Sequence, residues 1–343
     1  MADSKRGLRE RLDGGAVVCA EGYLFECERR GYVQAGAFVP EVVLEHPEIV
    51  ESLHREFVHA GSDVVEAFTY YGHREKLRLI GKEDILEPLN RNALRIARKV
   101  ADETGTLLAG NLSNTNLWAD ESARASVRGI FTEQVGWAVE EGAELLIGET
   151  FSYLEEALLC VEVMRESGLP TVITLVFHQD DATRDGYPVT QAFQELEQAG
   201  ADVVGVNCGR GPATMLPLLS TLRAAVSCDV AALPVPYRTT PEQPTMQSLR
   251  DPAAPDVRAF PTGLDPFTCT RTELGEFAAA AHALGVRYLG VCCGAGPHHI
   301  RAVAEAVGRT TEASRYSPDM SKHAYLGTDP TLKSGNREYA GRL

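Results

Sequence analysis

The sequence predicts an α/β fold, a single (β/α)8 TIM barrel, from two regularities that run along the chain. Short apolar runs rich in β-branched residues alternate with longer stretches of helical spacing. Eight such runs are present, and strands that are apolar on both faces are typical of a parallel sheet covered by helices. Eight units favour closure into a barrel over an open, doubly wound sheet.

Each predicted strand is followed by a predicted helix. Helices are expected at 47–60 and 87–104, where apolar residues recur every three or four positions. Small-residue turns such as Ala-Gly-Ser-Asp at 60–63 are typical of a helix end that leads into a strand. The strands are expected at 16–20, 63–69, 107–111, 145–149, 171–177, 203–208, 230–235 and 288–292.

Two segments depart from this alternation. Residues 1–308 are expected to form the barrel, but 237–266, rich in Pro, Thr and Gln, predict a long loop after the seventh strand. Residues 309–343 are polar and lack a clear core pattern, so they are interpreted either as a frayed tail or as an oligomerisation arm on a second subunit. The side chains that would anchor such an arm are Tyr316, Met320, Tyr325 and Tyr339.

Composition narrows the class of protein. The 343 residues are 44% apolar and carry a net charge of −15, which predicts a folded, acidic protein and argues against nucleic acid as a partner. No apolar run approaches the roughly 20 residues of a membrane span, and the polar N-terminus does not resemble a signal peptide. We therefore expect a cytoplasmic protein without membrane partners, in which the eight cysteines stay reduced.

Three of those cysteines stand at predicted strand ends. Cys208 closes the sixth strand, and Cys292 and Cys293 close the eighth. In a closed barrel these strands flank the seventh, so three thiols converge at the face where barrel enzymes carry their active sites. Three soft ligands with an open fourth position are typical of catalytic zinc. The alternative to a metal site is that these cysteines are small buried packing residues. We assign that packing role to the other five, Cys19, Cys27, Cys160, Cys228 and Cys269.

Such a centre suits the activation of a thiol. A free thiol with a pKa of about 8.5 is mostly protonated at neutral pH and is a weak nucleophile. As a fourth ligand beside three thiolates it is deprotonated yet electron-rich, and it can attack a methyl group in line.

Three motifs stand near the start of the chain and at the ends of the sixth and eighth strands: Asp13-Gly14-Gly15, Gly205-Val206-Asn207-Cys208 and Gly290-Val291-Cys292-Cys293-Gly294. They resemble the homocysteine S-methyltransferase family, and within it betaine–homocysteine S-methyltransferase most closely. Similar segments include 29–33, 40–48, 54–57, 67–71 and 284–288, so the likeness spans residues 8–308. The resemblance implies a zinc-dependent enzyme that methylates homocysteine to methionine, with Cys208, Cys292 and Cys293 as the zinc ligands.

The resemblance also implies how the amino acid is held. Asp13 and Glu149 match carboxylates that bind the homocysteine ammonium group, and Gly14 and Gly15 are expected to offer backbone N–H groups to its carboxylate. For Asp13 a helix-cap or turn role stays open. An acid at the end of an apolar run, as at Glu149, must be paired or functional.

Further roles are expected at the ends of other strands. Asn207 would orient a neighbouring ligand or a substrate carboxylate, and Gly205 is assigned to the same substrate site. Tyr71 matches a family tyrosine close to metal and donor, where it would act with Asp13 and Glu149.

The methyl donor depends on aromatic side chains, because ring faces hold an onium group. Phe38, Tyr70 and Tyr71 are the candidate aromatic residues for binding the donor. Phe38 stands where the betaine enzymes carry tryptophan, and Thr150 stands where they carry a further tyrosine. These two departures leave a sulfonium donor such as S-methylmethionine, or another small onium compound, as an alternative to betaine. A second alternative, of another class, is a non-catalytic zinc or thiol-redox barrel, against which Asp13 and Glu149 argue. A homodimer or larger homo-oligomer is expected from the family.

Overall fold

Eight parallel strands close into a barrel in the computed structural model, which describes residues 6–340 and 342. The barrel strands are β1 (Val17–Ala20), β2 (Val64–Glu66), β3 (Leu107–Ser113), β4 (Leu145–Phe151), β5 (Thr171–Leu175), β6 (Val203–Asn207), β7 (Asp229–Leu233) and, after a short hairpin of β8 (Arg250–Asp251) and β9 (Ala254–Arg258), β10 (Tyr288–Val291). The predicted (β/α)8 barrel and its eight strands are confirmed.

The barrel closes between its first and last strands. Val17 of β1 pairs with Tyr288 of β10, and Ala20 pairs with Val291. Because β10 also pairs with β7, and β7 with β6, the strands that precede the cysteines lie on either side of β7, as predicted. β6 ends at Asn207 and β10 at Val291, so Cys208 and Cys292 are the first residues beyond their strands.

Helices form the layer outside the barrel. The predicted helix 47–60 is α4, which begins at Pro47 and ends at a left-handed Gly61 with φ 118°. Pro at the first position and Gly after the last are the usual signals for helix start and stop. The helices are α1 (Leu8–Gly14), α2 (Tyr23–Arg29), α3 (Val42–Glu45), α4 (Pro47–Ala60), α5 (Arg74–Ile80), α6 (Leu86–Thr104), α7 (Arg124–Glu140), α8 (Leu154–Glu166), α9 (Val189–Gln198), α10 (Pro212–Ala225), α11 (Arg271–Ala283), α12 (Pro297–Ala306) and α13 (Ser334–Ala340).

Glycines inside two strands allow close packing at the site end of the barrel. A Cβ added at Gly290 would run into the carbonyl oxygen of Cys19 in β1, and one added at Gly205 would run into Ala231 of β7. Gly205 therefore lies within β6, packed against its neighbour. Close strand packing accounts for the glycine, and the expected role of Gly205 at the substrate site stays a prediction.

The two segments that break the alternation have distinct structures. The loop 237–266 contains the β8–β9 hairpin and begins at the buried Tyr237, whose hydroxyl accepts a 2.8 Å hydrogen bond from Arg29 Nη2. After α12 the chain forms short 3-10 turns and α13, and the four predicted anchor side chains of the tail are exposed. Their role in a subunit contact stays a prediction. Across residues 6–340, no helix has the length and apolarity to cross a membrane.

The packing of β10 on β1 gives a stability test. We expect Gly290→Ala to destabilise the protein by about 1–3 kcal/mol, because the new methyl group overlaps the Cys19 carbonyl and the strands must separate. Gly129→Ala is the control, since Gly129 lies in α7 with open space around it and alanine favours helix by about 1 kcal/mol. Urea unfolding measures both; equal stability of the two variants would contradict this account of the closure.

Candidate active site

Three thiols meet at the face where the barrel strands end. Cys208 follows β6, and Cys292 and Cys293 follow β10. Their Sγ atoms all lie within 4.8 Å of one another, with Cys208 and Cys292 buried and Cys293 partly buried. The structure thus brings together all three predicted metal ligands. Among the described residues, none of the other five cysteines joins a group of metal-ligating side chains.

The end of β7 holds two of these cysteines in place. The Cys208 N–H donates to the Leu233 carbonyl, and the Cys292 N–H donates to the Pro234 carbonyl, each at 2.9 Å. Cys208 itself has a left-handed backbone with φ 55°, which is unfavourable for a residue with a side chain. The surrounding strands therefore hold this thiol in a direction that the local chain would not choose.

The three thiols interact as one group. Hydrogen bonds from Cys292 and Cys293 lower the pKa of the Cys208 thiol well below its usual value. Burial raises the pKa of the Cys292 thiol, and the neighbouring Cys208 raises it further. A single thiolate stabilised by two thiols is an anionic centre that a soft cation can occupy.

Two buried carboxylates lie directly beside the thiols. Asn207, the last residue of β6, donates from Nδ2 to Glu149 Oε2 at 2.9 Å and to Glu21 Oε2 at 3.1 Å. One carboxylate oxygen from each acid and the Cys292 Sγ also lie within 4.8 Å of one another. The predicted residues Glu149 and Asn207 are therefore at the site, together with Glu21, which directly follows β1.

A third carboxylate belongs to the same group. Asn111 of β3 donates from Nδ2 to Glu66 Oε1 at 2.7 Å and to Glu149 Oε1 at 2.6 Å. With Glu21, these acids line an inner cavity of about 20 Å³, which also includes Cys293. Burial raises the pKa of all three carboxyl groups. Glu21 Oε1 has no hydrogen-bond partner in the described structure, so a ligand that brings N–H donors would satisfy it.

Asp13 does not lie at this site, which corrects the prediction. It is an exposed residue in the last turn of α1, before β1 begins, and its electrostatic neighbour is Asp229 at the start of β7. Gly14 and Gly15 are exposed at the same end of the barrel. Parallel strands carry site residues at their carboxyl ends, and at the carboxyl end of β1 stands Glu21.

Sequence reasoning missed both Glu21 and Glu66, although a signal was present. Glu21 directly follows the apolar strand β1 and Glu66 is the last residue of β2, and an acid in such a position is either paired or functional. Gly22 after Glu21 is required by packing, because an added Cβ would meet the Ala295 carbonyl.

An outer cavity of about 250 Å³ opens beside the thiols, with Cys208 and Cys293 in its wall. The predicted aromatic residues Phe38, Tyr70 and Tyr71 all line it. The rings of Tyr70 and Tyr71 are 4.3 Å apart, and Lys76 Nζ lies 3.9 Å from the Tyr71 ring centroid. Two further rings complete this aromatic half of the cavity, those of Phe25 and Phe260.

Strained backbone is concentrated in the wall of the outer cavity. All five non-glycine residues with left-handed φ among the described residues line it; they are Phe38, Tyr71, Asn116, Thr150 and Cys208. Each such conformation costs of order 1 kcal/mol and persists only where the surroundings enforce it. Thr150 is held by its N–H, which donates to Asn207 Oδ1 at 3.0 Å. This concentration marks the cavity as a functional site.

The fold and the site together define a class: a barrel enzyme with a cysteine cluster suited to a metal ion and buried acids beside it. A family model described as homocysteine S-methyltransferase matches residues 12–307. The chain belongs to the homocysteine S-methyltransferase family, and it is an enzyme that methylates homocysteine.

Curated relatives cover almost the whole chain. Betaine–homocysteine S-methyltransferase 1 of Xenopus tropicalis is 37% identical over 95% of this chain and 81% of that protein. An S-methylmethionine–homocysteine S-methyltransferase of Mus musculus is 34% identical over 98% of this chain and 92% of that protein. The barrel is also similar to a solved structure, the metallated homocysteine methyltransferase MmuM from Escherichia coli, with a TM-score of 0.67, 18% identity, and coverage of 86% and 98%. That likeness shows the shared fold.

Residues at the two ends of β1 should differ in their effect on homocysteine binding, since Glu21 follows the strand at the site and Asp13 precedes it. We expect Glu21→Gln to raise the KM for homocysteine about 10- to 100-fold, because a buried charged hydrogen bond is worth about 1.5–3 kcal/mol. Asp13→Asn should leave this KM unchanged, since Asp13 is exposed before β1. Steady-state kinetics at saturating donor measures both variants. A larger effect of the Asp13 variant would contradict the placement of Glu21 at the amino-acid site.

Proposed function

We propose that this enzyme transfers a methyl group from betaine to the thiol of homocysteine, with zinc at the three cysteines, and forms methionine. The observation that carries the proposal is that the thiol cluster borders both an acidic inner cavity and an aromatic outer one. An ammonium group suits the first cavity and a methylated onium group suits the second, so both substrates can meet at the sulfur atoms.

The donor set fits zinc. Three thiol sulfurs converge from two adjacent strand ends, and soft ligands of this kind favour zinc over magnesium or calcium. Asn207 Nδ2 lies 3.8 Å from Cys292 Sγ and also donates to Glu21 and Glu149, so Asn207 would orient this ligand from a fixed position. Zinc held by Cys208, Cys292 and Cys293 would lower the pKa of the homocysteine thiol and leave it electron-rich.

The acids would hold the amino-acid end of homocysteine. Its ammonium group brings three N–H donors, and Glu21, Glu66 and Glu149 offer acceptor oxygens around the inner cavity. Binding of that cation would restore the ionised form of carboxyl groups whose pKa values burial has raised. The thiol then extends from this anchor towards Cys293, which borders both cavities.

The aromatic half of the outer cavity would hold the trimethylammonium group of betaine. In the transfer step a bond forms between the homocysteine sulfur and the methyl carbon as the bond from that carbon to nitrogen breaks. The electron pair of the broken bond stays on the nitrogen, so the amine leaves neutral, and the thiol proton passes to solvent. Phe38, Tyr70 and Tyr71 would fix the onium group so that this displacement is in line.

S-methylmethionine is the second candidate donor. Thr150 adds no ring to the cavity wall, which leaves room for a longer sulfonium substrate. The mouse relative named for S-methylmethionine is nearly as similar to the chain as the betaine-named relatives are. Identity to the betaine enzymes and the ring faces of Phe38, Tyr70 and Tyr71 favour betaine.

A non-catalytic zinc or thiol-redox barrel is less well supported. Neither role needs the inner cavity, with three buried carboxyl groups and an unsatisfied Glu21 oxygen, whereas an amino-acid substrate does. The three adjacent free thiols favour a reducing compartment such as the cytoplasm. We further propose a homo-oligomer, supported by the exposed aromatic residues of the tail.

Removal of one thiol should separate zinc binding from folding. We expect Cys208→Ala to lose bound zinc and at least 100-fold in kcat/KM, because two thiols cannot retain the metal in a three-ligand site. Most of the fold should persist, since the barrel core is large. Cys228→Ala, outside the cluster and only half-buried, is the control for loss of a thiol. Elemental analysis, kinetics and circular dichroism provide the measurements; a zinc-free Cys208 variant with native turnover would refute the zinc-dependent reaction.

A donor panel tests the choice of methyl source. Methionine formation from betaine, S-methylmethionine and S-adenosylmethionine is compared in parallel, and we expect betaine to be used best. We also expect Phe38→Trp to lower the KM for betaine about 2- to 10-fold, because a larger ring face binds an onium group more strongly. Phe267→Trp, which changes an aromatic residue outside the cavity wall, should leave it unchanged. If the Phe38 variant matches wild type in both KM and kcat for betaine, the aromatic site is misassigned.

A further inference from the structure

The wall of the outer cavity contains a cationic side chain in addition to its aromatic residues. Arg184 lines the wall with Ser152 and His178, and no Asp or Glu lines the cavity among the described residues. Burial lowers the pKa of His178, and the nearby Arg184 lowers it further, which favours the neutral imidazole. Arg184 therefore carries a positive charge in a cavity wall without a compensating acid.

The segment that carries Arg184 is fixed to the barrel. The Arg184 N–H donates to the Ser152 carbonyl at 2.7 Å, directly beyond β4. The next residue, Asp185, accepts hydrogen bonds from the N–H groups of Leu154 and Glu155 at 3.0 and 3.1 Å, which holds the segment on the first turn of α8. The guanidinium carbon lies 5.5 Å from the centroid of the Tyr153 ring. These contacts hold the side chain at the cavity edge.

The guanidinium group lacks an anionic partner in the part of the chain that the structure describes. No ion pair or side-chain hydrogen bond is formed by Arg184, whereas Arg210 nearby pairs with Asp181 at 2.9 Å. The adjacent acid, Asp185, is already bonded to the backbone of α8. A planar guanidinium with free N–H donors is suited to a carboxylate, which it can bind through two parallel hydrogen bonds.

We propose that Arg184 binds the carboxylate of the methyl donor, so that the outer cavity selects zwitterions with an onium group at one end and a carboxylate at the other. This inference rests on the proposed methyl transfer and specifies its donor subsite. The onium group contacts the rings of Phe38, Tyr70 and Tyr71, while the carboxylate contacts Arg184, which lines the same cavity. Onium compounds without a carboxylate leave the guanidinium unpaired.

The carboxylate of homocysteine is not the partner of Arg184. It is attached to the same carbon as the ammonium group, so both remain beside the acids of the inner cavity. Arg184 lines the outer cavity and is absent from the wall of the inner one. The two substrates are therefore held in separate cavities that both border Cys293, with the ammonium group of homocysteine beside the acids and the carboxylate of the donor beside Arg184.

The test compares donors that share a trimethylammonium group. Betaine has a carboxylate, and choline has a hydroxyl group in its place. In wild-type enzyme we expect transfer from betaine and little from choline. Arg184→Gln should raise the KM for betaine about 10- to 100-fold, as expected for loss of a charged hydrogen-bond pair, and leave the KM for homocysteine and the zinc content unchanged. Arg184→Lys should have a KM for betaine between those of the wild type and Arg184→Gln, because lysine keeps the charge and loses the planar geometry.

Arg9→Gln is the matched control. Arg9 is exposed, pairs with Asp202 just before β6, and its replacement makes the same change in net charge at the opposite end of the barrel. This variant should keep the wild-type KM for betaine. An Arg184→Gln enzyme with an unchanged KM for betaine, or with a raised KM for homocysteine instead, would overturn the proposal.

A measurement of betaine binding tests the Arg184 subsite independently of methyl transfer. Titration calorimetry with betaine should show weaker binding to Arg184→Gln than to wild type, whether or not methyl transfer follows. Wild-type protein that binds betaine through Arg184 but forms no methionine would refute the proposed reaction and support the subsite. Methionine formation from betaine that is insensitive to Arg184 would support the reaction and refute the subsite.

Discussion

The site depends on one geometric constraint, the junction of β6, β7 and β10 at the carboxyl end of the barrel. Cys208 and Cys292 come from strands that are far apart in sequence, and each donates a backbone hydrogen bond to consecutive carbonyls at the end of β7. Glycines at positions 205 and 290 let these strands approach one another and β1 closely. Without that closure the thiols would have no common centre, and neither cavity would border them.

The same junction concentrates groups that repel one another when ionised. Three thiols and three carboxylates lie around one small volume, and burial favours the neutral form of each acid. An arrangement of this kind is unfavourable for folding in isolation, and cations relieve it. The left-handed backbone at Cys208 and Thr150 adds to the cost. The barrel core must offset these terms, which explains why the site lies at one end of a large apolar structure.

Much of the site could be predicted from the residues that end the strands. Cys208 and Cys292 are predicted because each closes an apolar run, and Glu149 and Asn207 because they match the family resemblance; the side chains of all four lie at one site. Asp13 was misplaced because the resemblance of Asp-Gly-Gly to a family motif was given more weight than its position before β1. Applied consistently, the rule that barrel sites form at carboxyl ends selects Glu21. Motif likeness in a short segment is weaker evidence than position in the fold.

The amino-acid sequence by itself determined the barrel, its eight strands and the cysteine cluster, because hydrophobic periodicity and strand order are local properties that add up to one topology. Only the tertiary structure decided that Asn111 joins Glu66 to Glu149, and that Arg184 lines the same cavity as the aromatic residues. These contacts join residues tens of positions apart, and no spacing rule encodes them. Side-chain direction at the ends of strands follows from the packing of the whole barrel, so it appears first in three dimensions.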